Sequence, residues 1–468
     1  TATISNANDL TSVTLDSDVT HIDLNNIANV LLDINDLTNR TVTANGGTYK
    51  VKDTATNLAA AAEALLSNQT IVINDSSTAA TTTELNSIQT KMVSNGGSGT
   101  VTYTKLTDTA SNLDTNKADI VNGVAVTIDE TGNNVAATVA ELNNLQTQVA
   151  SVNNASLTYT KLRDTSANIR ANVDENNAIT DVEGKAVTVT TTSNVSEFSA
   201  ILTAATANGA AGTVAGAVSD TVGNLTGNIT LTGATSVTAV IVDGTKDLTA
   251  TTLDSEVTIL DLATNSVQNA VFDVSDINGK TILDTNATFT VKDSATTLAA
   301  NTNAISGKAV VIEDTNNTAA TVAELNAIQA VASSVTYTKL RDSSANIRAN
   351  VNNSGSITDV EGKAVEVTTA STAAHFSAIL TAATANGAAG TVAGAVADAG
   401  SALTDVTFPN ASSITATISN ANDLTSVTLD SDVTHIDLNN VSNVLLDIND
   451  LTNRTVTANG GTYKVKDT

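Results

Sequence analysis

The sequence predicts a repeat solenoid: a right-handed parallel β-solenoid in which coils of alternating strand and helix (an α/β solenoid) are interrupted by strand-only segments. Residues 1–54 return as residues 415–468, an offset of 415 − 1 = 414, with substitutions only at Ile27 and Ala28. Short strand and helix patterns alternate along much of the chain, and shorter blocks recur inside the period. We therefore expect one period of a tandem array and the start of the next.

Residues 1–48 have a strand pattern. Apolar residues recur about every 9–10 residues, and turns rich in Asp and Asn separate them. The predicted strand residues are Val13/Leu15, Ile22/Leu24, Leu32/Ile34 and Val42. Short strands at this spacing indicate a strand-only solenoid segment with about two strands per coil. The same pattern predicts strand-only segments at 221–288 and 401–462.

From Tyr49 onward, strand and helix patterns alternate, which predicts β/α repeat blocks at 49–220 and 289–400. After the strand at 49–54, Leu58 and Leu65 lie on one face of a predicted helix. The Asp-Thr, Asp-Ser or Ser/Thr residues before the helices supply side chains that accept the free N–H groups of a first turn. Asn208-Gly209 is the predicted stop of the helix that contains Phe198 and Ile201. A strand, a helix and a further strand in this order predict parallel pairing with a right-handed crossover.

Repeats inside the period have unequal offsets. The block 158–220 returns as 336–398, an offset of 336 − 158 = 178, with 13 of 63 positions changed. VKDTATNLAA at 51–60 returns as VKDSATTLAA at 291–300, an offset of 291 − 51 = 240. The first half therefore contains 240 − 178 = 62 extra residues. A linear stack tolerates such an insertion because each unit contacts only its neighbours.

The composition opposes binding to several classes of partner. A net charge of −27 opposes binding to nucleic acid and to anionic membranes. No run of 18 apolar residues is present, so we expect no membrane insertion in this segment. Cysteine is absent, which excludes disulfides and thiolate metal sites. Abundant Thr and Asn without Cys favours an exported protein at a bacterial cell surface.

Calcium is the cofactor that the acidic turns suggest. Carboxylates from adjacent coils supply the oxygen ligands that Ca²⁺ prefers. The candidate ligands are Asp16, Asp18, Asp23, Asp33 and Asp36, and in the other half Asp254, Glu256, Asp261, Asp273 and Asp276. The alternative is that these are solvated turn residues bonded to their own backbone. No EF-hand loop supports the calcium interpretation.

No catalytic or cofactor motif is present, and we predict that the chain is not an enzyme. His21 and His435 are copies of one position, and no nucleophile accompanies them in the sequence. Tyr103, Tyr159 and Tyr337 occupy equivalent positions, which we interpret as core positions on strands. Asn-x-Ser/Thr triplets are expected by chance at this composition. The uneven spacing of Thr-x-Thr pairs opposes a flat ice-binding face.

The phrases at 52–58 (KDTATNL) and 163–169 (RDTSANI) resemble a motif of giant exported bacterial proteins. Those proteins carry repeated units of a strand, D-T-A-x-N-[LI] and a helix, and include surface-layer, adhesin and fibre proteins such as those of marine cyanobacteria. The resemblance covers roughly 49–210 and 289–390. It implies secretion and a structural role. The GGxGxD calcium repeat of many such proteins is absent from this sequence.

These observations predict a structural tandem-repeat protein that forms an extracellular fibre, surface layer or stalk on a bacterial cell. Its expected partners are identical chains or periods. The alternative is the stalk of a large adhesin whose ligand-binding part lies outside this segment. A polysaccharide-cleaving solenoid enzyme is disfavoured, because aromatic subsites and a basic cleft are not evident in the sequence.

Overall fold

The computed structural model describes residues 1–132, 136–174, 182–314, 319–352 and 360–466. The chain divides into two compact units. Unit 1 comprises residues 1–220 and 230–237, and unit 2 comprises residues 221–229 and 238–468. This division falls inside the predicted strand-only segment at 221–288. The other predicted block boundaries stay predictions.

The elements up to residue 221 are short strands with helices between them. The strands are β1 Ala2–Thr3, β2 His21–Asp23, β3 Val30–Leu32, β4 Thr41–Thr43, β5 Tyr49–Asp53, β6 Thr70–Ile73, β7 Thr100–Thr102, β8 Lys105–Asp108, β9 Ala125–Ile128, β10 Ser156–Thr158, β11 Lys161–Asp164, β12 Ala186–Val189 and β13 Thr213–Thr221. The helices are α1 Ile34–Leu37, α2 Ala55–Ala60, α3 Glu63–Leu66, α4 Thr82–Val93, α5 Ala110–Thr115, α6 Val139–Ser151, α7 Ser166–Asp174 and α8 Val195–Ala205.

The remaining elements follow the same pattern. The strands are β14 Ala234–Val240, β15 Ile259–Asp261, β16 Ala270–Phe272, β17 Thr281–Leu283, β18 Phe289–Asp293, β19 Ala309–Ile312, β20 Ser334–Thr336, β21 Lys339–Asp342, β22 Ala364–Val367, β23 Thr391–Ala399, β24 Ala411–Thr417, β25 His435–Asp437, β26 Val444–Leu446, β27 Thr455–Thr457 and β28 Tyr463–Val465. The helices are α9 Val274–Ile277, α10 Ala295–Ala300, α11 Thr302–Ile305, α12 Val322–Gln329, α13 Ser344–Asn352, α14 Ala373–Ala383 and α15 Ile448–Leu451.

In unit 1, the paired strands are parallel. We call the stretch of chain that leads from one strand to its next paired strand a crossover. The orders are β1-β2-β4, β3-β5-β6-β7, β10-β9-β8 and β11-β12-β13. The shortest crossover joins Val30 to its partner Tyr49 (49 − 30 = 19 residues), and the longest joins Ala125 to Ser156 (156 − 125 = 31 residues). Most longer crossovers contain a helix of two turns or more.

Unit 2 is built in the same way. The orders are β14-β15-β17, β16-β18-β19-β20, β21-β22-β23-β24-β25-β27 and β26-β28, and the strand pairs are parallel. An isolated bridge between Thr226 and Leu253 is antiparallel. The fold is therefore α/β with parallel sheets, and none of the sheets formed by the described residues closes into a barrel.

Aliphatic side chains stack along the parallel ladders and form the core. Leu106 is the register partner of Val126, and Leu162 is the partner of Val187. All four side chains are buried. Because parallel strands place partners on the same face, each ladder buries a continuous column of aliphatic groups. This arrangement explains how a chain with 2% aromatic residues forms a core.

Helix starts follow the predicted capping chemistry. Thr81, Thr138 and Thr321 precede α4, α6 and α12, and each accepts a hydrogen bond from the third residue of its helix. In all three, the glutamate at that third position accepts from the backbone of the capping threonine, which completes a capping box. Helix α8 ends at Ala205, and the predicted stop, Asn208-Gly209, follows it with positive φ at both residues.

The description of three segments as strand-only is incomplete. Each contains one turn of helix, namely α1, α9 and α15. These turns start with a pair of aspartates, such as Asp33 and Asp36, that form a capping box across three residues. Ile34 therefore lies in a helix, and the prediction that it belongs to one strand with Leu32 is wrong.

The strand predicted at Val13 and Leu15 is also wrong. The amide of Val13 donates to Leu10 O, and the amide of Thr11 donates to Asn8 O. These local bonds form consecutive turns and use donors that a strand would pair with a neighbouring strand. Leu10 contributes the buried side chain of this stretch, and Val13 is 49% exposed.

Gly212 lies between α8 and β13, close to the backbone of Ala205 at the end of α8. A Cβ at this position would lie 2.0 Å from Ala205 O. Because that atom belongs to the helix backbone, we expect Gly212→Ala to lower the free energy of unfolding by about 1–3 kcal/mol. Urea unfolding measures the change. Gly223→Ala is the control, since a Cβ there meets no atom within 4 Å. Equal effects of the two substitutions would contradict the packing argument.

Candidate functional site

The carboxylates at the strand-to-helix junctions each accept two or more hydrogen bonds from the protein. Five of them, the strand-end aspartates, are the last residues of strands that precede a helix: Asp53, Asp108, Asp164, Asp293 and Asp342. They belong to the phrases KDT, TDT, RDT, KDS and RDS. Each of them contacts two successive crossovers of the chain.

Asp108 shows the arrangement in full. One oxygen, Oδ1, accepts from the amide of Thr109 at 2.8 Å and from Asn112 Nδ2 at 2.7 Å, which fixes the start of its own helix, α5. The other oxygen, Oδ2, accepts from the amide of Thr82 at 3.0 Å and from its hydroxyl at 2.5 Å. Thr82 is the first residue of α4 in the preceding crossover. One carboxylate therefore joins the starts of two neighbouring helices.

The same two-sided contact recurs along the chain. The Oδ2 atoms accept from the first amide of the preceding helix: Asp53 from Ile34 at 3.1 Å, Asp164 from Val139 at 2.9 Å, Asp293 from Val274 at 3.2 Å and Asp342 from Val322 at 3.0 Å. Asp220 and Asp398 bind the first amides of α8 and α14 in the same way. First-turn amides have no partner inside their own helix, so these carboxylates satisfy donors that would otherwise be unpaired.

The hydrogen bonds keep Asp108 ionised. Burial acts to raise its pKa, but the bonds from Thr82, Asn112 and Thr109 outweigh burial and lower the pKa below its usual value. A negative charge at the first turn of two helices is also favoured by the helix dipole. The carboxylate is therefore a charged structural acceptor at neutral pH.

A second set, the corner carboxylates, holds the Tyr-Thr corners between consecutive strands. Asp75 accepts from the amide of Thr104 at 2.5 Å, from its hydroxyl at 2.9 Å and from the amide of Lys105 at 2.7 Å. Glu130 and Asp314 make the equivalent bonds one crossover before the other two corners. Burial acts to raise the pKa of Asp75, and the three bonds lower it by more.

A third set, the capping glutamates, reaches back to the preceding helix. Glu84 Oε1 accepts from the hydroxyl of Thr56 at 2.7 Å, and Glu324 Oε1 accepts from the hydroxyl of Thr296 at 2.6 Å. Glu197 Oε2 accepts from the hydroxyl of Ser166 at 2.9 Å. The same glutamates cap their own helices. All three sets of carboxylates thus connect one crossover to the next.

Most of the predicted calcium ligands accept hydrogen bonds from the protein itself. Asp16 accepts from Asp18 N, Asp23 from Asn25 N and Asn45 Nδ2, Asp254 from Ile229 N and Glu256 N, and Asp261 from Thr264 N and Oγ1. Asp33 pairs with Asp36, and Asp273 pairs with Asp276, in the capping boxes of α1 and α9. Asp18 is exposed and Glu256 is half-buried.

The structure brings these candidates together only in pairs. Among the described residues, no three His, Cys, Asp or Glu side chains are grouped as a metal ion requires. The two pairs that do meet share backbone hydrogen bonds within one helical turn. Calcium binding at the ten predicted residues stays a prediction, and the carboxylates that join neighbouring crossovers are a largely different set.

Asp36, Asp276 and Asp450 differ from the other carboxylates because they are buried beside a second acid. Burial is the main cause that raises the pKa of Asp276 to about 7, and the adjacent charge of Asp273 adds to it. Asp247 acts in the same direction, and Lys280 opposes it. The pKa values of Asp36 and Asp450 are raised for the same main reason.

Arg40 joins successive crossovers through backbone carbonyls. Its guanidinium donates to Val19 O at 2.8 Å, Leu15 O at 3.1 Å and Asp16 O at 3.2 Å, all in the preceding crossover, and also to Asn35 O. Arg454, its copy at 40 + 414 = 454, makes the equivalent four contacts. A guanidinium suits this position because its several donors are fixed in one plane.

The tyrosines lie in or near the core, and two of the histidines contact threonine hydroxyls. Tyr159 and Tyr337 are buried, which confirms their predicted place in the core, and Tyr103 is half-buried with its hydroxyl bonded to Asp119 O. All three lie in corners between strands, so their predicted position on strands is wrong. His21 and His435 each contact the hydroxyl of the preceding threonine at 2.8 Å.

Comparisons with known proteins do not indicate a family. No protein-family model matches the chain, and no curated protein and no solved structure is significantly similar to it. Within the described residues, no helix combines the length and the apolar character needed to cross a membrane. The contacts between successive crossovers are therefore the main structural guide to function.

Removing a strand-end aspartate should destabilise two helices at once. We expect Asp108→Ala to lower the free energy of unfolding by on the order of 2–3 kcal/mol, because four hydrogen bonds to one carboxylate are lost. Asp243→Ala is the control, since that side chain is 83% exposed. Urea unfolding of both variants measures the difference. A cost for Asp108→Ala no larger than for Asp243→Ala would show that the contact is not stabilising.

Asp276 should make stability depend on pH near neutrality. Its pKa in the folded protein, about 7, lies above the ordinary value, so the folded state holds the proton more tightly than the unfolded state. The associated stability is complete below about pH 4 and is lost as the pH rises towards 7. We expect Asp276→Asn to remove this loss, with a gain over the wild type that grows to on the order of 2 kcal/mol by pH 8.

The measurement is urea unfolding of both proteins between pH 4.5 and 8. Asp243→Asn serves as the matched control for removal of one negative charge. If the difference between Asp276→Asn and the wild type is constant over this range, the carboxyl does not titrate there and the assignment is wrong.

Proposed function

We propose that the chain is a segment of a repeat solenoid that serves as a structural element of an extracellular fibre, surface layer or stalk on a bacterial cell. In this proposal the crossovers are right-handed coils, and the array lengthens by adding periods of 414 residues. The protein binds identical chains or periods and has no catalytic role. Its acidic surface is the place where Ca²⁺ bridges neighbouring copies.

The observation that carries the proposal is the repeated contact between one crossover and the next. Strand-end aspartates, corner carboxylates and capping glutamates each join adjacent crossovers, and they recur at copied positions. Asp53 and Asp293, for example, are separated by 293 − 53 = 240 residues and cap α1 and α9 in the same way. Bonds limited to neighbours permit extension without a closed core, as in one-dimensional repeat proteins.

Composition supports an extracellular role for such an element. The chain has 48 acidic and 21 basic residues and no cysteine. The high negative charge keeps isolated copies soluble and apart, and a divalent cation would offset that repulsion at contacts between copies. This gives calcium a role in assembly that does not require a closed site inside one chain.

Solution scattering on polypeptides of one and two 414-residue periods tests the architecture. If coils of about 25 residues stack at about 4.8 Å each, one further period adds about 80 Å to the maximum dimension. We expect the maximum dimension to double from one period to two. Growth much smaller than this would indicate separate or folded-back globules and would contradict the solenoid.

The same samples measured with calcium and with a chelator test assembly. We expect calcium to promote association of the copies and the chelator to reverse it. Association that ignores calcium would remove the cation from the proposal but leave the fibre or surface layer. Copies that stay monomeric in both conditions would favour the adhesin stalk, whose ligand-binding part lies elsewhere.

A further inference from the structure

Two nearly identical blocks differ at one helix start. In the block 158–220, helix α8 is preceded by Asn194 and has Glu197 as its third residue. In the block 336–398, the equivalent residues before and within α14 are Thr372 and His375. The offset is 375 − 197 = 178, the same as for the blocks as a whole. The second copy therefore has an imidazole where the first has a carboxylate.

In the first block, the Glu197 carboxylate has two donors. Its Oε2 accepts from the amide of Asn194 at 3.3 Å and from the hydroxyl of Ser166 at 2.9 Å. Ser166 is 3% exposed, and its hydroxyl donates across from helix α7 to helix α8. The carboxylate therefore fills a position formed by a helix N-terminus and a buried hydroxyl.

The second block keeps these donors but not the acceptor. Ser344 is the copy of Ser166 (166 + 178 = 344) and is 4% exposed. Its Oγ is buried and has no hydrogen-bond partner within the described residues. Ser193 and Ser371 are also buried and unpartnered, but they are copies of one position, so they do not distinguish the blocks. Only Ser344 has lost a partner that its copy retains.

We propose that the N-terminus of α14 binds a small carboxylate anion in the position that the Glu197 side chain occupies at α8. The amide of Thr372 and the hydroxyl of Ser344 donate to it. α14 has 11 residues, so its first turn carries the partial positive charge expected of a helix N-terminus.

The surrounding acids do not exclude an anion here. Asp398 binds the amide of Ala373 at 3.0 Å, and Asp342 binds donors of α13 and α12, so both carboxylates are engaged. The equivalent acids of the first block, Asp220 and Asp164, make the same contacts while Glu197 is in place. The first block therefore shows that this junction accommodates one more carboxylate.

The remaining charged groups on the packed elements are Arg348 on α13, Lys339 on β21, and the ion pair between Arg341 and Glu366 on β21 and β22. None of these replaces the missing acceptor of Ser344. His375 stands at the position of Glu197, so we expect its half-buried side chain to move when the ligand reaches the buried Ser344 Oγ.

Imidazole NMR of the full chain tests the proposal directly. The chain has three histidines, and His21 and His435 serve as internal controls. Sodium acetate is titrated with the ionic strength held constant by sodium perchlorate. We expect a saturable change at the His375 resonance alone. Ser344→Ala should weaken the binding by about tenfold or more, because it removes a hydrogen bond to a charged ligand.

The variant His375→Glu tests the proposal through the melting temperature. His375→Glu restores the residue found in the first block, so it should fold and should place its own carboxylate in the site. We expect acetate to raise the melting temperature of the wild type and to leave that of His375→Glu unchanged. Ser166→Ala, in the first block, controls for loss of a buried hydroxyl and should not alter the response to acetate.

Three results of the NMR titration would overturn the proposal. These are a linear response to acetate, an equal response at all three histidines, and binding to Ser344→Ala with unchanged affinity. A gain in melting temperature for His375→Glu equal to that of the wild type would also overturn it. None of these results bears on the scattering experiment, so the fibre proposal is judged separately.

Discussion

The first turn of every helix exposes amide groups that the helix itself cannot bond, and in seven of the described helices the next crossover supplies a carboxylate for the first of these amides. Asp108 shows why a carboxylate is used. It has two oxygens, and each oxygen accepts two hydrogen bonds, so one side chain serves the starts of α4 and α5. A strand is thereby fixed in position relative to the helix before it and the helix after it. The parallel strand pairs and the aliphatic columns depend on that spacing.

Because carboxylates accept hydrogen bonds inside the fold, the strong negative charge is not evidence of cation binding by itself. Many of the 48 acidic residues are hydrogen-bond acceptors within the fold rather than free surface charges. Asp75 and Asp108 have lowered pKa values because their bonds outweigh burial, whereas Asp276 has a raised pKa because burial and Asp273 outweigh its bonds. Acidic turns alone therefore do not identify a calcium site. Asparagine has a different structural role: most of the described non-glycine residues with positive φ are asparagines.

The sequence predicts the class of fold but not the contacts that hold it together. Alternating patterns and copied phrases correctly indicate α/β structure, parallel pairing, helix starts at Thr81 and Thr138, and the stop at Asn208-Gly209. The strand at Val13 and Leu15 fails because local turns compete with pairing, and α1 is missed because a single helical turn has no periodicity. The bonds that Thr82 donates to Asp108 span 108 − 82 = 26 residues, so the sequence alone does not identify Thr82 as the partner. The sequence signal is the aspartate itself, which recurs at the strand end in the copied phrases.

Copies within one chain act as natural substitutions that separate what the fold requires from what it tolerates. Position 40 is arginine, whereas its copy at 40 + 240 = 280 is lysine, which reaches one carbonyl, Ser275 O, in place of four. The strand-end aspartate is kept in all five copies while the residues around it vary. Position 197 is glutamate and its copy, position 375, is histidine. The helix forms in both copies, so the fold tolerates the loss of this carboxylate. Bonds confined to neighbours explain this tolerance: a change at one junction alters two crossovers and leaves the remaining junctions unchanged.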